Sequence, residues 1–284
     1  MKKKIFLLFL ILLGGLFWFK YKPLVDITKV GFTEEPTATP VVKKAVLQFA
    51  VVGDPESDLV NLSKIINRVK EKQGTFLIFA GDLTQVGSPG QLAEFKKVMD
   101  ESGLEYYIVP GNHDLYTSRK QTKDAKKYFR DVFGTPYYQV IKNAGKFKVK
   151  FLFLDNSDEY SKMETDQINF LNNNLKKASN KLNFVFFHLP LFHPSSDYIM
   201  GYQEEIISKQ KDELLSIFLK ANEASRAKFA FFAGHLHHTS SYEWSGMKMY
   251  VAGSANSLRN WQTPRYLEVK VFSDAEFEVK EVEL

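Results

Sequence analysis

The sequence predicts an α/β protein with largely parallel strands. Three observations carry that prediction. Short apolar runs rich in β-branched and aromatic residues recur, at Val46–Val52, Phe76–Ala80 and 105–109. Between them, apolar residues fall at helical spacing, as in Leu59, Leu62, Ile65, Ile66 and Val69. Each run also stops at a glycine followed by a carboxylate or an amide: Gly53-Asp54, Gly81-Asp82 and, after Pro110, Gly111-Asn112. Strands apolar on both faces, alternating with amphipathic helices, imply a sheet covered by helices.

The elements follow in order. Val46–Val52 reads as a buried strand ending in Gly53-Asp54-Pro55-Glu56. A helix is predicted over about 57–73, a second strand over Phe76–Ala80, and a helix near 90–102. The third strand, 105–109, leads into Gly111-Asn112-His113-Asp114. The stretch 115–148 is more polar; it reads as a helix near 119–133 and a turn around Gly134-Thr135-Pro136. Phe151-Leu152-Phe153-Leu154 is a fourth strand, ending in Asp155-Asn156. After a helix near 164–178 comes a fifth, Phe184–Phe187, ending in His188-Leu189-Pro190. A loop over 191–203 carries Phe192, His193, Tyr198 and Tyr202. A helix near 204–222 precedes the sixth strand, Phe229–Ala233, which ends in Gly234-His235-Leu236-His237-His238. Alternating segments at Lys248–Ala252, Tyr266–Phe272 and Glu276–Val282 predict antiparallel strands.

The N-terminus differs in kind. Met1-Lys2-Lys3-Lys4 precedes an unbroken apolar run, Ile5–Phe19, then Lys20-Tyr21-Lys22. Basic residues before an apolar run are the pattern of an export signal. No small-residue cleavage site follows, and Trp18 and Tyr21 suit a membrane interface. Residues 1–22 therefore read as an uncleaved signal anchor, a transmembrane segment that places the rest outside the cytoplasm at the cell membrane. The alternative is secretion after signal cleavage. The Pro- and Thr-rich stretch within 23–44 reads as a linker. Residues 45–284 are then one folded domain.

Composition narrows the chemistry. There is no cysteine, which excludes disulfides, thiolate metal sites and cysteine nucleophiles. The net charge of +5 resides in residues 1–44, which hold eight lysines and three acids. The remainder holds 30 basic and 30 acidic residues, so no nucleic-acid partner is expected.

The strand ends carry the chemistry. Singly, each motif fits a turn or a helix cap. Together, five strand ends deliver Asp54, Asp82, Asn112, His188 and the pair His235 and His237. Carboxylate, amide oxygen and imidazole suit Mn, Fe, Zn or Co. A carboxylate shared by two ions gives a dinuclear centre that clamps phosphoryl groups and generates hydroxide near neutral pH.

The ordered set Asp54, Gly81-Asp82, Gly111-Asn112-His113-Asp114, His188 and Gly234-His235-Leu236-His237 resembles the calcineurin-like metallophosphoesterase superfamily, from about 46 to 255. The resemblance implies a four-layer αββα sandwich of two mixed sheets. It also implies two divalent or trivalent metal ions (Mn, Fe or Zn). Asp54 and His237 would bind the first ion, Asp82 would bridge, and Asn112, His188 and His235 would bind the second. The implied reaction is hydrolysis of a phosphomonoester or phosphodiester by a metal-bridging hydroxide, with His113 as general acid oriented by Asp114. The implied substrate is a phosphorylated small molecule or a lipid-linked phosphate.

There is one departure. The family's first motif is usually Asp-x-His; here Asp54-Pro55-Glu56 puts Glu56 in the histidine's place. Glu56 is read as an oxygen ligand favouring a harder ion, or as a partner standing behind the ligands. It also keeps open a second functional class, a catalytically degenerate member that binds metal or a phospholigand. His193 and His238 are read as pocket or surface residues, and Phe192, Tyr198 and Tyr202 as a substrate lip or loop packing. Asp155-Asn156 reads as a strand-end cap.

Overall fold

The structure is a computed structural model that describes residues 43–176, 182–224 and 228–284. The signal anchor at 1–22 and all but the last two residues of the 23–44 linker lie outside the described residues. Among the described residues no helix is long and apolar enough to cross a membrane.

In chain order the elements are β1 (Ala45–Val52), α1 (Leu59–Lys70), β2 (Thr75–Ala80), α2 (Pro89–Ser102) and β3 (Tyr106–Val109). Next come α3 (Tyr116–Gln121), α4 (Lys127–Phe133), β4 (Tyr138–Ala144), β5 (Phe147–Phe153), α5 (Thr165–Lys176) and β6 (Leu182–Phe186). The chain continues with α6 (Glu205–Ala224), β7 (Lys228–Ala233), β8 (Ser240–Trp244), β9 (Met247–Val251), β10 (Arg265–Phe272) and β11 (Phe277–Glu283).

They form two mixed sheets, ordered β11-β10-β1-β2-β3 and β4-β5-β6-β7-β9-β8. β1, β2 and β3 are parallel, as are β5, β6, β7 and β9; antiparallel strands flank both sets. The period of two divides each central strand between layers. Phe49 and Val51 of β1 face Phe151, Phe184 and Phe186 of the other sheet. Their neighbours Ala50 and Val52 face Leu62, Ile65 and Val69 of α1. On the far side, Val185 and Phe231 pack with Leu171 of α5 and Leu214 and Phe218 of α6. The seam between the sheets is rich in phenylalanine, with ring centroids 5.1 Å apart for Phe49–Phe184 and 5.2 Å for Phe186–Phe232, the spacing of favourable aromatic pairs. Four layers result, as the resemblance implied.

Three expectations need correction. The helix predicted near 119–133 is two short helices, α3 and α4, broken at 122–126. The turn region hides a strand: β4 pairs with β5 in a hairpin, and its alternation is short and interrupted by Ile141-Lys142-Asn143. Lys248–Ala252 was expected to be antiparallel; β9 instead runs parallel to β7 and takes β8 as its antiparallel partner.

Candidate metal centre

Parallel strands in both sheets end on the same side, and their last residues converge. His188, following β6, reaches across the sheets: its Nδ1 is 2.9 Å from the Ala80 carbonyl at the end of β2. That approach requires Gly81, since a Cβ there would stand 2.3 Å from His188 Nδ1, and its φ is +91°. The side chains that follow are held by backbone that L-residues seldom adopt. Asp54 (φ 45°), Glu56 (42°), Asp82 (49°), His235 (70°) and His237 (54°) all lie in the left-handed region. Non-glycine residues there cost about 1–3 kcal/mol each, and such strain gathers at functional sites.

Asp82 lies at the middle. Its Oδ1 accepts from the His113 amide at 2.8 Å, and its Oδ2 is 3.4 Å from His188 Nε2. His188 Nε2 is also 2.9 Å from Asn112 Oδ1, while Asn112 Nδ2 donates to Tyr116 and Glu159. Both oxygens of Asp54 accept from the His235 amide, at 2.9 and 3.1 Å. Asp54, Asp82 and His237 bring ligand atoms within 4.8 Å of one another; so do Glu56, Asp82 and His113. The site thus gathers Asp54, Glu56, Asp82, Asn112, His113, His188 and His237, with the His235 ring 5.1 Å from that of His188. These buried oxygen and imidazole donors fit a divalent metal ion.

Charge follows burial and neighbours. Burial raises Asp54 well above the usual carboxyl range. Burial works against ionised Asp82 too, but the His188 cation outweighs it and holds Asp82 well below that range. Burial opposes charge on His188, yet Asp82 and Asp54 hold it up at about 10. His235 and His237 are lowered to about 3 and about 4, chiefly by burial. They are neutral at pH 7 and ready to donate; His188 must first give up a proton. Mn²⁺ binding at pH 7 is therefore expected to release about one proton or more per chain, with affinity rising as pH climbs towards 10. Calorimetry in two buffers of different ionisation enthalpy checks this; identical apparent enthalpies contradict it.

Asp114 does not orient His113 as expected. Its carboxylate accepts from the amides of Leu83, Thr84 and Gly111 and from the Thr84 hydroxyl, at 2.8–3.1 Å. It therefore braces the Asp82 and Asn112 loops, and burial followed by Asp82 raises it to about 7. The His113 ring is set by Gln85 instead, whose carbonyl is 2.7 Å from Nδ1. An amide-rich loop satisfies a buried carboxylate better than one imidazole does.

Glu56 is buried, and burial, then Asp82, raises it to about 7. Among the described residues neither of its oxygens has a hydrogen-bond partner. Oε1 lies 3.4 Å from His237 Nε2 and 3.0 Å from Arg259 Nη1, whose charge works against the upward shift. Sequence reading missed Arg259, along with Tyr116 and Glu159. Its segment, Ser254–Gln262, is rich in Ser and Asn and has no apolar period to mark it.

A cavity of about 1090 Å³ opens over the centre, lined among others by Asp82, His113, His235, His237, Arg259 and Trp261. Tyr198, Tyr202 and His238 line it. Phe192 instead packs against Tyr242 and Trp244, and His193 against Tyr242 with Ser240 3.1 Å from its Nε2. Asn156 accepts from the His188 and Leu189 amides, at 3.0 and 3.1 Å, so it caps the strand end that positions His188.

Several known proteins are similar to this chain. A protein described as a probable glycerophosphodiester phosphodiesterase GpdQ, from Arcobacter nitrofigilis, is 24% identical over 204 residues, covering 71% of this chain and 70% of that one. A probable cyclic nucleotide phosphodiesterase from Vesicomyosocius okutanii is 22% identical over 196 residues, covering 67% and 74%. Among solved structures, GAP50, the anchor in the inner membrane complex of Plasmodium, superposes with a TM-score of 0.57 at 16% identity, covering 85% of this chain and 90% of that one. At that identity the likeness concerns the fold alone. The family model described as calcineurin-like phosphoesterase matches residues 47–239, a span running from β1 to the pair His235 and His237. With the family model matched across the strand-end side chains that gather at one point, the chain belongs to the calcineurin-like phosphoesterase family.

Proposed function

We propose that the chain is a metal-dependent phosphoesterase that cleaves phosphodiesters, and monoesters more slowly. The observation that carries this reading is Asp82, whose carboxylate lies within 4.8 Å of ligand atoms of Asp54 and His237 on one side and 3.4 Å from His188 Nε2 on the other. Asp54, Asp82 and His237 would hold one ion; Asp82, Asn112, His188 and His235 would hold a second. Bound there, divalent ions supply positive charge for phosphoryl oxygens and a nucleophile at neutral pH.

The protein's own groups do the rest. With Nδ1–H donating to the Gln85 carbonyl, His113 Nε2 lies in the cavity wall and accepts from Arg259 Nη1 at 2.8 Å; when that N–H turns to a substrate oxygen, Nε2 can hold a proton and deliver it to the departing ester oxygen. The preference for diesters rests on the names of the two relatives, both phosphodiesterases. The cavity volume suits a phosphorylated small molecule or the headgroup end of a lipid-linked phosphate. A second reading, a binding module without turnover, is favoured only by Glu56 in the place of the family's histidine.

The test is an assay of the full-length chain loaded with Mn²⁺, on bis-p-nitrophenyl phosphate and p-nitrophenyl phosphate. The expected result is chelator-sensitive turnover, faster on the diester. A rate no greater than that of Asp82→Ala, with fewer than two ions per chain, leaves the binding module instead.

A further inference from the structure

Arg259 is the cation that stands against the ligand cluster. Its Nη1 is 2.8 Å from His113 Nε2 and 3.0 Å from Glu56 Oε1. The other basic residues of the cavity differ. Arg119 is paired with Asp158 at 3.1 Å and lies over the Tyr160 ring, and Lys120 approaches none of the ligand residues.

The backbone of Arg259 is built onto both loops that carry Asp54 and His237. Ala255 N donates to Gly53 O at 2.8 Å, Ser254 Oγ to Asp54 O at 2.9 Å, and Asn61 Nδ2 to Ala255 O at 2.9 Å. Ser257 donates to Asp58 through both its amide and its hydroxyl, at 2.9 and 2.6 Å. On the other side, Trp261 N donates to His237 O at 3.2 Å. Between these anchors Asn256 Oδ1 accepts from the amides of Leu258 and Arg259, at 2.7 and 2.9 Å, and Asn260 Nδ2 donates to Ser254 O at 2.6 Å. A loop fixed at so many points holds the Arg259 backbone in place, while the side chain, 47% exposed, reaches Glu56 and His113 through Nη1.

The guanidinium has donors to spare. A guanidinium carries five N–H groups in a planar fork. Only Nη1 approaches partners; Nη2 and Nε have none among the described residues. Glu56 gives the complementary half, since its oxygens have no hydrogen-bond partner and Arg259 is their nearest cation. Burying such a carboxylate is tolerable beside a fixed positive group.

We propose that Arg259 binds a non-bridging phosphoryl oxygen of the substrate at this centre, and that Glu56 serves as the carboxylate that positions its guanidinium rather than as a metal ligand. This rests on the phosphoesterase reading for the identity of the ligand. It gives the Glu for His exchange in the first motif a reason. A histidine would bring no charge to hold an arginine, whereas a glutamate does. A planar fork matches two oxygens of a phosphoryl group, which a lysine ammonium cannot do.

The experiment measures inorganic phosphate binding and metal content together, on the full-length Mn²⁺-loaded chain. Arg259→Ala is expected to weaken phosphate binding about 10- to 100-fold, the range of a hydrogen bond to a charged group, with Mn²⁺ content equal to wild type. Arg259→Lys recovers only part of the loss. Glu56→Gln keeps the metal content and weakens phosphate binding less than Arg259→Ala does. The double variant is no weaker than Arg259→Ala alone. Phosphate affinity of Arg259→Ala within twofold of wild type, or wild type that binds no phosphate, overturns the assignment of Arg259. Loss of an ion in Glu56→Gln overturns the role given to Glu56. If wild type binds phosphate through Arg259 yet hydrolyses no ester, the hydrolase reading fails while the binding role stands. If it hydrolyses esters and Arg259→Ala binds phosphate as well as wild type, only the present proposal fails.

Discussion

Asp82→Ala is expected to abolish phosphodiester hydrolysis, with a fall of about 10³-fold or more. Groups that act as one unit lose most of their effect when a single member is removed. Asp82 is such a member, standing between Asp54 and His237 on one side and His188 on the other. Bound Mn²⁺ should drop to one ion or fewer per chain, measured by elemental analysis. Asp82→Asn keeps the shape and removes the charge, and it should behave nearly as badly. A second consequence concerns the metal-free fold. The Asp82 carboxylate holds the buried His188 imidazole in its charged form, up at about 10. Removing one partner of a buried pair costs about 3–5 kcal/mol when the other stays charged. His188 escapes part of that by losing its proton, so the variant's stability should rise with pH up to the ordinary histidine value of about 6.5 and level off above it. A thermal melt that is flat in pH, with activity retained, would sink both claims.

His113→Ala is the second large effect, and its size should depend on the leaving group. General acid catalysis contributes about 10²–10⁴-fold. Esters of alcohols need a proton on the departing oxygen, so they should lose that full amount. Esters of p-nitrophenol leave without help and should lose much less. The measurement is kcat/KM across diesters whose leaving groups span a wide pKa range. A steeper dependence in the variant than in wild type marks the lost proton donor, while equal slopes remove His113 from that role. Metal content should not change, because the His113 ring is set by Gln85 at 2.7 Å and is not needed to hold Asp82. The His113 backbone amide, which donates to Asp82 Oδ1 at 2.8 Å, survives the substitution.

Much of the site was legible because strand ends are local features. An apolar run followed by glycine and a polar residue can be read over seven or eight residues. Asp54, Asp82, Asn112 and His235 announce themselves in this way; His188 follows its apolar run directly and His237 stands two residues beyond His235. Local pattern also identified the helices that cover the sheets, since amphipathic spacing in 59–70 and 205–224 is plain. It failed at β4 and β8. Both are edge strands with alternate positions exposed, so neither carries a buried apolar run.

The sequence by itself determined which groups arrive at the strand ends, and in what order, because apolar periodicity and glycine placement act through near neighbours. Only the tertiary structure decided what those groups do to one another. Asn112 and His188 meet across 76 residues, and His113 and Arg259 across 146. Such contacts depend on sheet register and on the closure of one sheet over the other, which no short window contains. The same holds for His113, whose ring went to Gln85 instead of Asp114, because buried amides of adjacent loops claimed the carboxylate first. For Glu56 the sequence showed that a histidine had been replaced. The fold supplied the reason to look elsewhere for its partner, by carrying Arg259 on a loop pinned to the Asp54 and His237 segments.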